Sequence, residues 1–451
     1  MLKVAKFGGT SLANAEQVGK VCAIVTSDPA RRIVVVSAPG KSHAGDTKVT
    51  DLLIGCADCC LETGRVPEKE LNRVVEKYAA IVRDLGLSQG IVERVSRDLS
   101  SRLASDRSHA GRFTDHVKAG GEDNCAWLMA EALRQRGADA HYVNPADAGL
   151  LLSSEYGAAQ VLPQSYEKLR SLRDRPGITI FPGFFGVSVE GYTVTFPRGG
   201  SDITGAVLAA AVKADLYENF TDVDSVYTVD PRVVKGAPPI SELTYREMRE
   251  LAYAGFGVFH DEAIVPAVTA GIPICIKNTN RPQAPGTRIV SEREYVHGSV
   301  VGIAASDGFC TVFVSKYMLN KEKGFGRQLL QIFEKEDLSY EHTPSGIDNM
   351  SVVLRESDFT AEVEARVTRR IRTELLADVS VERGLALLMI VGEGMQHTVG
   401  LAAKATAALA AAGVNIEMIN QGSSEISMMF GIKAEGRERA VRSLHEAFFR
   451  S

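Results

Sequence analysis

The feature that most narrows the fold is a series of short, unbroken apolar runs separated by amphipathic helical stretches. Ile33-Val34-Val35-Val36-Ser37 is nearly all β-branched, the pattern of a strand covered on both faces. Gly177-Ile178-Thr179-Ile180-Phe181-Pro182-Gly183 is a second run, closed by turn residues. Leu216-Tyr217-Glu218-Asn219-Phe220-Thr221 and Ile272-Pro273-Ile274-Cys275-Ile276-Lys277 continue the series. Such alternation predicts a mostly parallel sheet with helices on both faces over residues 1–300. Residues 51–135 depart from it. They are charged, almost free of strand patterns and helical in period, and read as a helical subdomain beside the sheet.

Past residue 300 the chain repeats itself. With one constant offset and no gap, Gly324 falls on Gly400, Phe333 on Leu409, Glu341 on Glu417, Gly346 on Gly422 and Ser351 on Ser427. Thr311-Val312-Phe313-Val314 overlies Leu387-Leu388-Met389-Ile390, Leu338-Ser339-Tyr340 overlies Val414-Asn415-Ile416, and Val352-Val353-Leu354 overlies Met428-Met429-Phe430. Each unit reads as a ferredoxin-like βαββαβ unit, the first over 301–378 and the second over 379–451, with strands free to interleave between them.

Length and composition exclude several classes. A chain of 451 residues exceeds one ordinary core. Its net charge of −5, with no block of like charges, argues against a nucleic-acid partner. The chain shows neither a signal-peptide pattern nor an apolar run long enough to span a bilayer. Seven cysteines lie scattered, and Cys56, Cys59 and Cys60 have no second pair at zinc spacing. A soluble cytoplasmic chain with buried thiols and no dedicated metal site is expected.

Three clusters carry chemistry. Lys6-Phe7-Gly8-Gly9-Thr10-Ser11 ends the first strand; paired glycines admit a ligand to the backbone, and a lysine stands beside them. Neither a Walker A loop nor a dinucleotide fingerprint is present. Arg198-Gly199-Gly200-Ser201-Asp202 opens an alanine-rich helix, where the guanidinium fork suits a carboxylate; helix capping by Ser201 or Asp202 is the plain alternative. Thr221-Asp222-Val223-Asp224-Ser225-Val226-Tyr227 through Arg232 follows a strand, a place suited to a nucleotide, or equally a polar turn before Pro231.

In order and spacing these clusters resemble the aspartokinase family, and the resemblance extends over the chain, since that family ends in two ACT domains. It implies an amino-acid-kinase-type α/β fold and transfer of the ATP γ-phosphoryl group to the β-carboxylate of L-aspartate, with Mg²⁺ arriving on ATP. No His/Asp or Lys/Glu base pair stands out, and none is needed. A carboxylate is already ionised at neutral pH, its ordinary pKa being about 3.9. By resemblance, Lys6 and Asp202 would be catalytic. Ser37, Thr50, Glu122, Arg198, Gly199, Gly200 and Ser201 would hold aspartate, Glu122 taking its ammonium and Arg198 its α-carboxylate. Lys6, Phe7, Gly8, Gly9, Thr221, Asp222, Tyr227, Asp230 and Arg232 would hold ATP.

Two departures from the family pattern stand out. Gly257 occupies the place of a phosphate-contacting lysine ahead of Val258-Phe259-His260, with Lys277 as a conjectural substitute, and Pro197 precedes Arg198 where glycine is usual. In the tail, the resemblance implies a lysine and/or threonine effector site involving Met318, Gly324, Phe325, Ser345, Asp348, Asn415 and Ile416. It also implies a homodimer or dimer of dimers formed through the ACT units. Two other readings stay open: a kinase of the same fold acting on glutamate or another acid, and a catalytically silent amino-acid sensor. A fused homoserine dehydrogenase is not expected.

Overall fold

The computed structural model describes residues 1–197, 199–256 and 263–450, and the backbone alone of 261 and 262. Arg198, Gly257, Val258, Phe259 and His260, and the side chains of Asp261 and Glu262, therefore lie outside the described residues. The chain forms two compact units. The first comprises Met1–Val226, Pro239–Tyr245 and Val258–Arg293; the second comprises Tyr227–Pro238, Arg246–Gly257 and Glu294–Ser451.

The first unit is built on an eight-stranded sheet. Its strands are β1 (Lys3–Phe7), β2 (Arg31–Val36), β3 (Ala140–Tyr142), β4 (Ile178–Pro182), β7 (Leu216–Thr221), β8 (Glu242–Thr244), β9 (Ile274–Asn278) and β10 (Thr287–Val290), while β5 (Phe185–Val187) and β6 (Thr193–Thr195) form a separate ribbon. Their order is β3-β4-β2-β1-β7-β9-β10-β8. All pairings are parallel except β9 with β10, in agreement with the doubly covered strands expected from sequence. The four apolar runs became β2, β4, β7 and β9. The shorter strands carry too few residues to leave a readable alternation.

Four helices, Val49–Thr63, Glu68–Asp84, Gly90–Leu103 and Ala110–Gln135, fill the charged stretch between β2 and β3. Leu53, Cys56 and Cys60 of the first helix join Val74, Tyr78, Leu99, Phe113 and Met129 of the others in a core continuous with β1 and β2. Burying a side chain of this size stabilises by roughly 1.5–3 kcal/mol. The Tyr78 hydroxyl, also buried, donates to the Gly121 carbonyl at 2.6 Å, and this bond ties the second helix to the middle of the long one.

The second unit contains a five-stranded antiparallel sheet made of β11 (Gly302–Ser315), β12 (Asn349–Arg355), β13 (Asp378–Val391), β14 (Met418–Asn420) and β15 (Ser427–Lys433), in the order β12-β11-β13-β15-β14. The gapless repeat reappears in it. β11 overlies β13, and helices Phe325–Glu334 and Ala361–Glu374 overlie Leu401–Ala411 and Arg437–Phe449. Gly324 and Gly400 both precede a helix in the left-handed conformation, at φ 82° and 93°.

Two cores result. Cys310, Val312 and Val314 of β11 pack with Phe325, Leu329 and Ile371, joined by Val379 and Val381 from the start of β13. Leu388 and Ile390 from the end of β13 pack with Leu409, Phe430 and Leu444, joined by Ile303 from the start of β11. Each long strand thus serves both cores.

Neither half forms a strand at the overlaid segments 338–340 and 414–416, and in the second half β14 starts at Met418. In the first half, residues 341–346 reach β12 through single bridges at His342 and Ser345. Pro344 lacks a donor there, which interrupts a regular ladder.

Candidate active site

In an open parallel sheet, ligands bind beyond the carboxyl ends of the strands. A cleft of about 730 Å³ lies there, beyond β1, β2 and β4. Lys6, Gly8, Gly9, Ser37, Thr50, Glu122, Gly199, Gly200, Ser201 and Asp202 all line it. The fold therefore brings together ten of the residues singled out from sequence.

The turn after β1 is held by its neighbours. The Gly8 N–H donates to the Phe220 carbonyl at 3.2 Å, and the Gly9 carbonyl accepts from the Gly40 N–H at 2.8 Å. A Cβ on Gly40 would stand 2.6 Å from the Gly9 backbone carbon, so two glycines are what let the β1 and β2 turns cross. Gly9–Leu12 then forms a 3₁₀ turn before the helix Ala15–Thr26, which Asn14 caps by accepting from the Gln17 N–H at 3.0 Å.

The helix Gly200–Ala211 begins with Gly199 at φ 82°, a left-handed conformation that side chains resist. No side chain caps this helix, so the capping alternative for Ser201 and Asp202 does not hold. The Asp202 carboxylate turns instead to the Lys6 ammonium, 2.6 Å away, and the same oxygen accepts from Asn219 Nδ2 at 2.5 Å. Lys6 is 7% exposed. A nearly buried cation, held by one carboxylate in a glycine-walled turn, is placed to meet an incoming anion.

Glu122 lies midway along the helix Ala110–Gln135 and is 4% exposed. Burial raises its pKa to about 8, against the weaker pull of backbone N–H groups and Lys118. Its Oε2 has no hydrogen-bond partner, an orphan of the kind that a ligand's donor satisfies. Next to it, Asp123 anchors the helix through Arg102 at 2.5 Å and a short bond from the Tyr142 hydroxyl.

Sequence reasoning missed three cleft lysines, Lys41, Lys48 and Lys118. Lys118 pairs with buried Asp115 at 2.8 Å and sits 5.5 Å from the Phe184 ring centroid. Its spacing, four residues before Glu122 on one helix face, was the available signal.

Other expected residues lie elsewhere. Phe7 is fully buried and stacks on Phe220 at 4.7 Å. Thr221 ends β7 and Asp222 follows it, and neither lines the cleft. Tyr227, Asp230 and Arg232 belong to the second unit. There Tyr227 packs on the second core, and Arg232 pairs with Asp230 at 2.7 Å. Lys277 lies on β9. In the second unit, Met318 is left-handed at φ 63°, and its N–H donates to Asp348 Oδ1 at 2.8 Å, while Phe325 is buried in the first core. Asn415 instead bonds Glu417, and Ile416 rests on the second core.

Comparison with known proteins bears on this geometry. Residues 1–278 match the amino acid kinase family and residues 388–448 an ACT domain. Aspartokinase 3 of Bacillus subtilis (strain 168) is 58% identical over 449 residues, 99% of each chain. This chain belongs to the aspartokinase family. The aspartokinase fold recurs in the crystal structure of Clostridium acetobutylicum aspartate kinase, at a TM-score of 0.86 and 36% identity over 99% of both chains. It recurs also in Escherichia coli aspartokinase III. Its complex with aspartate and ADP gives a TM-score of 0.80 at 28% identity over 100% of both chains. Its complex with lysine and aspartate gives 0.79 at 27% over 99% of both.

Proposed function

We propose that this aspartokinase transfers the γ-phosphoryl group of ATP to the β-carboxylate of L-aspartate, giving 4-phospho-L-aspartate and ADP. The observation that carries the reading is the Lys6–Asp202 pair facing a cleft that also holds the orphaned carboxyl of Glu122. The attacking carboxylate needs no base, so the work is to bring one anion up to another. Lys6 neutralises charge on the transferring phosphoryl group, and Asp202 with Asn219 fixes the direction of its ammonium.

Glu122 accepts the substrate ammonium, which supplies the partner its buried oxygen lacks. Arg198 takes the α-carboxylate, with Ser37, Thr50 and the Gly199-Gly200-Ser201 backbone around it. Thr221, Asp222, Tyr227, Asp230 and Arg232 are assigned to the nucleotide. Asp202 is engaged by Lys6 and Asn219, and Glu122 is buried; this donor set fits a Mg²⁺ carried in on the phosphates better than one held by the protein. When bound, that ion would offset phosphate charge.

The E. coli relative was solved with lysine, and this chain carries an ACT domain. The group around Met318, Gly324, Phe325, Ser345 and Asp348, with Asn415 and Ile416, is therefore proposed to take lysine and/or threonine, and the ACT units to join a second copy. ADP release measured with ATP and aspartate together, and with each alone, tests the activity. Release that needs both supports it; release independent of aspartate overturns it.

A further inference from the structure

The four lysines of the cleft are not equivalent. Lys6 is paired with Asp202 and Lys118 with Asp115. Lys41 and Lys48 are exposed and make no ion pair among the described residues. Both sit on the loop between β2 and the helix Val49–Thr63, and that loop is a closed, braced structure. The Val49 N–H donates to the Pro39 carbonyl at 3.1 Å, which shuts its base, and the Gly40 N–H bonds Gly9 at 2.8 Å. Within the loop, Asp46 accepts from the Ser42 N–H at 2.8 Å, the Ser42 hydroxyl at 2.9 Å and the Thr47 N–H at 2.7 Å. Lys77 reaches across to Asp46 at 2.6 Å. Asp46 thus uses its charge on the brace, which leaves the two flanking lysines without it.

Lys48 is also misplaced by ordinary helix rules. It is the N-cap residue of Val49–Thr63 and makes no side-chain cap bond. A cation at that end opposes the helix dipole, and a bound anion relieves the conflict. The loop root crosses the Gly8-Gly9 turn, so the free cations flank the segment assigned to phosphate. A triphosphate brings several negative charges, while the ammonium of Lys6 is already shared with Asp202.

We infer that Lys41 and Lys48 are two further polyphosphate-binding residues that clamp the nucleotide from the loop side of the cleft. The inference rests on the kinase reading and adds two residues to it.

Calorimetric binding of ATP, tripolyphosphate and adenosine to the full chain tests it without requiring turnover. Lys41→Ala and Lys48→Ala should each weaken ATP and tripolyphosphate by about 10-fold, as expected for a charge-assisted contact. Adenosine binding should not change, and Lys41→Arg and Lys48→Arg should retain most of the affinity. A double alanine variant with an unchanged unfolding midpoint that binds ATP within about twofold of the parent overturns the inference. So does a loss that falls on aspartate instead, or a parent chain that binds neither ATP nor tripolyphosphate. A parent that binds ATP but does not phosphorylate aspartate would defeat the substrate reading alone, and the lysine result would still stand.

Discussion

Lys6 and Glu122, both nearly buried, divide the work of the cleft between a cation and a carboxyl. Lys6→Ala should lower turnover by about 10²–10³, as for a lost electrostatic stabiliser, while ATP still binds; steady-state kinetics with a binding titration check both halves. Glu122 should report itself through pH. Burial raises it from 4.5 to about 8, so the folded chain keeps a proton that the unfolded chain gives up. Its contribution to stability is complete below about pH 4.5 and is lost as pH rises through about 8. In urea unfolding, the parent should therefore lose stability relative to Glu122→Gln between about pH 4.5 and about pH 8, and level off above that. An equal slope in both proteins would contradict this assignment. The same variant should raise the KM for aspartate by about 10-fold or more, since a glutamine cannot give up a proton to become the charged partner that a bound ammonium favours.

At the scale of elements, the crossing of Gly9 and Gly40 sets the shape of the cleft. Gly40→Ala must push backbone against backbone, and it should cost about 1–3 kcal/mol as an overpacking change, read from the unfolding midpoint together with reduced kcat/KM. This crossing also marks what was legible in the sequence. The glycine pairs, the lysine before them and the helix-opening Ser201-Asp202 announce turns, because only certain residues tolerate such backbone. Lys41, Lys48 and Lys118 announce nothing, since a lysine in a loop or on a helix face is ordinarily solvated. The β-branched runs gave the central strands, but three-residue strands such as β3 and β8 are too short to carry a period. Nor does local pattern say which core a loop joins. Val229 reads as part of a nucleotide loop, yet it packs with Leu409 and Phe430 in the second unit.

At the scale of the molecule, the repeated halves of the second unit share one sheet and exchange strand ends. Met318 adjoins Leu319 of the first core, and β13 runs from that core into the other half. If this unit senses an amino acid, lysine or threonine, singly or together, should shift aspartate affinity or turnover by roughly 5- to 150-fold, the usual range of allosteric coupling. Asp348→Ala, which loses the bond to the Met318 N–H, should move that response to higher effector concentration. No response to either amino acid would remove the sensing role. The central claim, transfer to a carboxylate, is tested most directly by trapping the product. An acyl phosphate reacts with hydroxylamine to give a hydroxamate, whereas ATP hydrolysis gives none. The account predicts hydroxamate from ATP and L-aspartate in step with ADP, and little from L-glutamate; ADP without hydroxamate, or equal yields from the two acids, would contradict it.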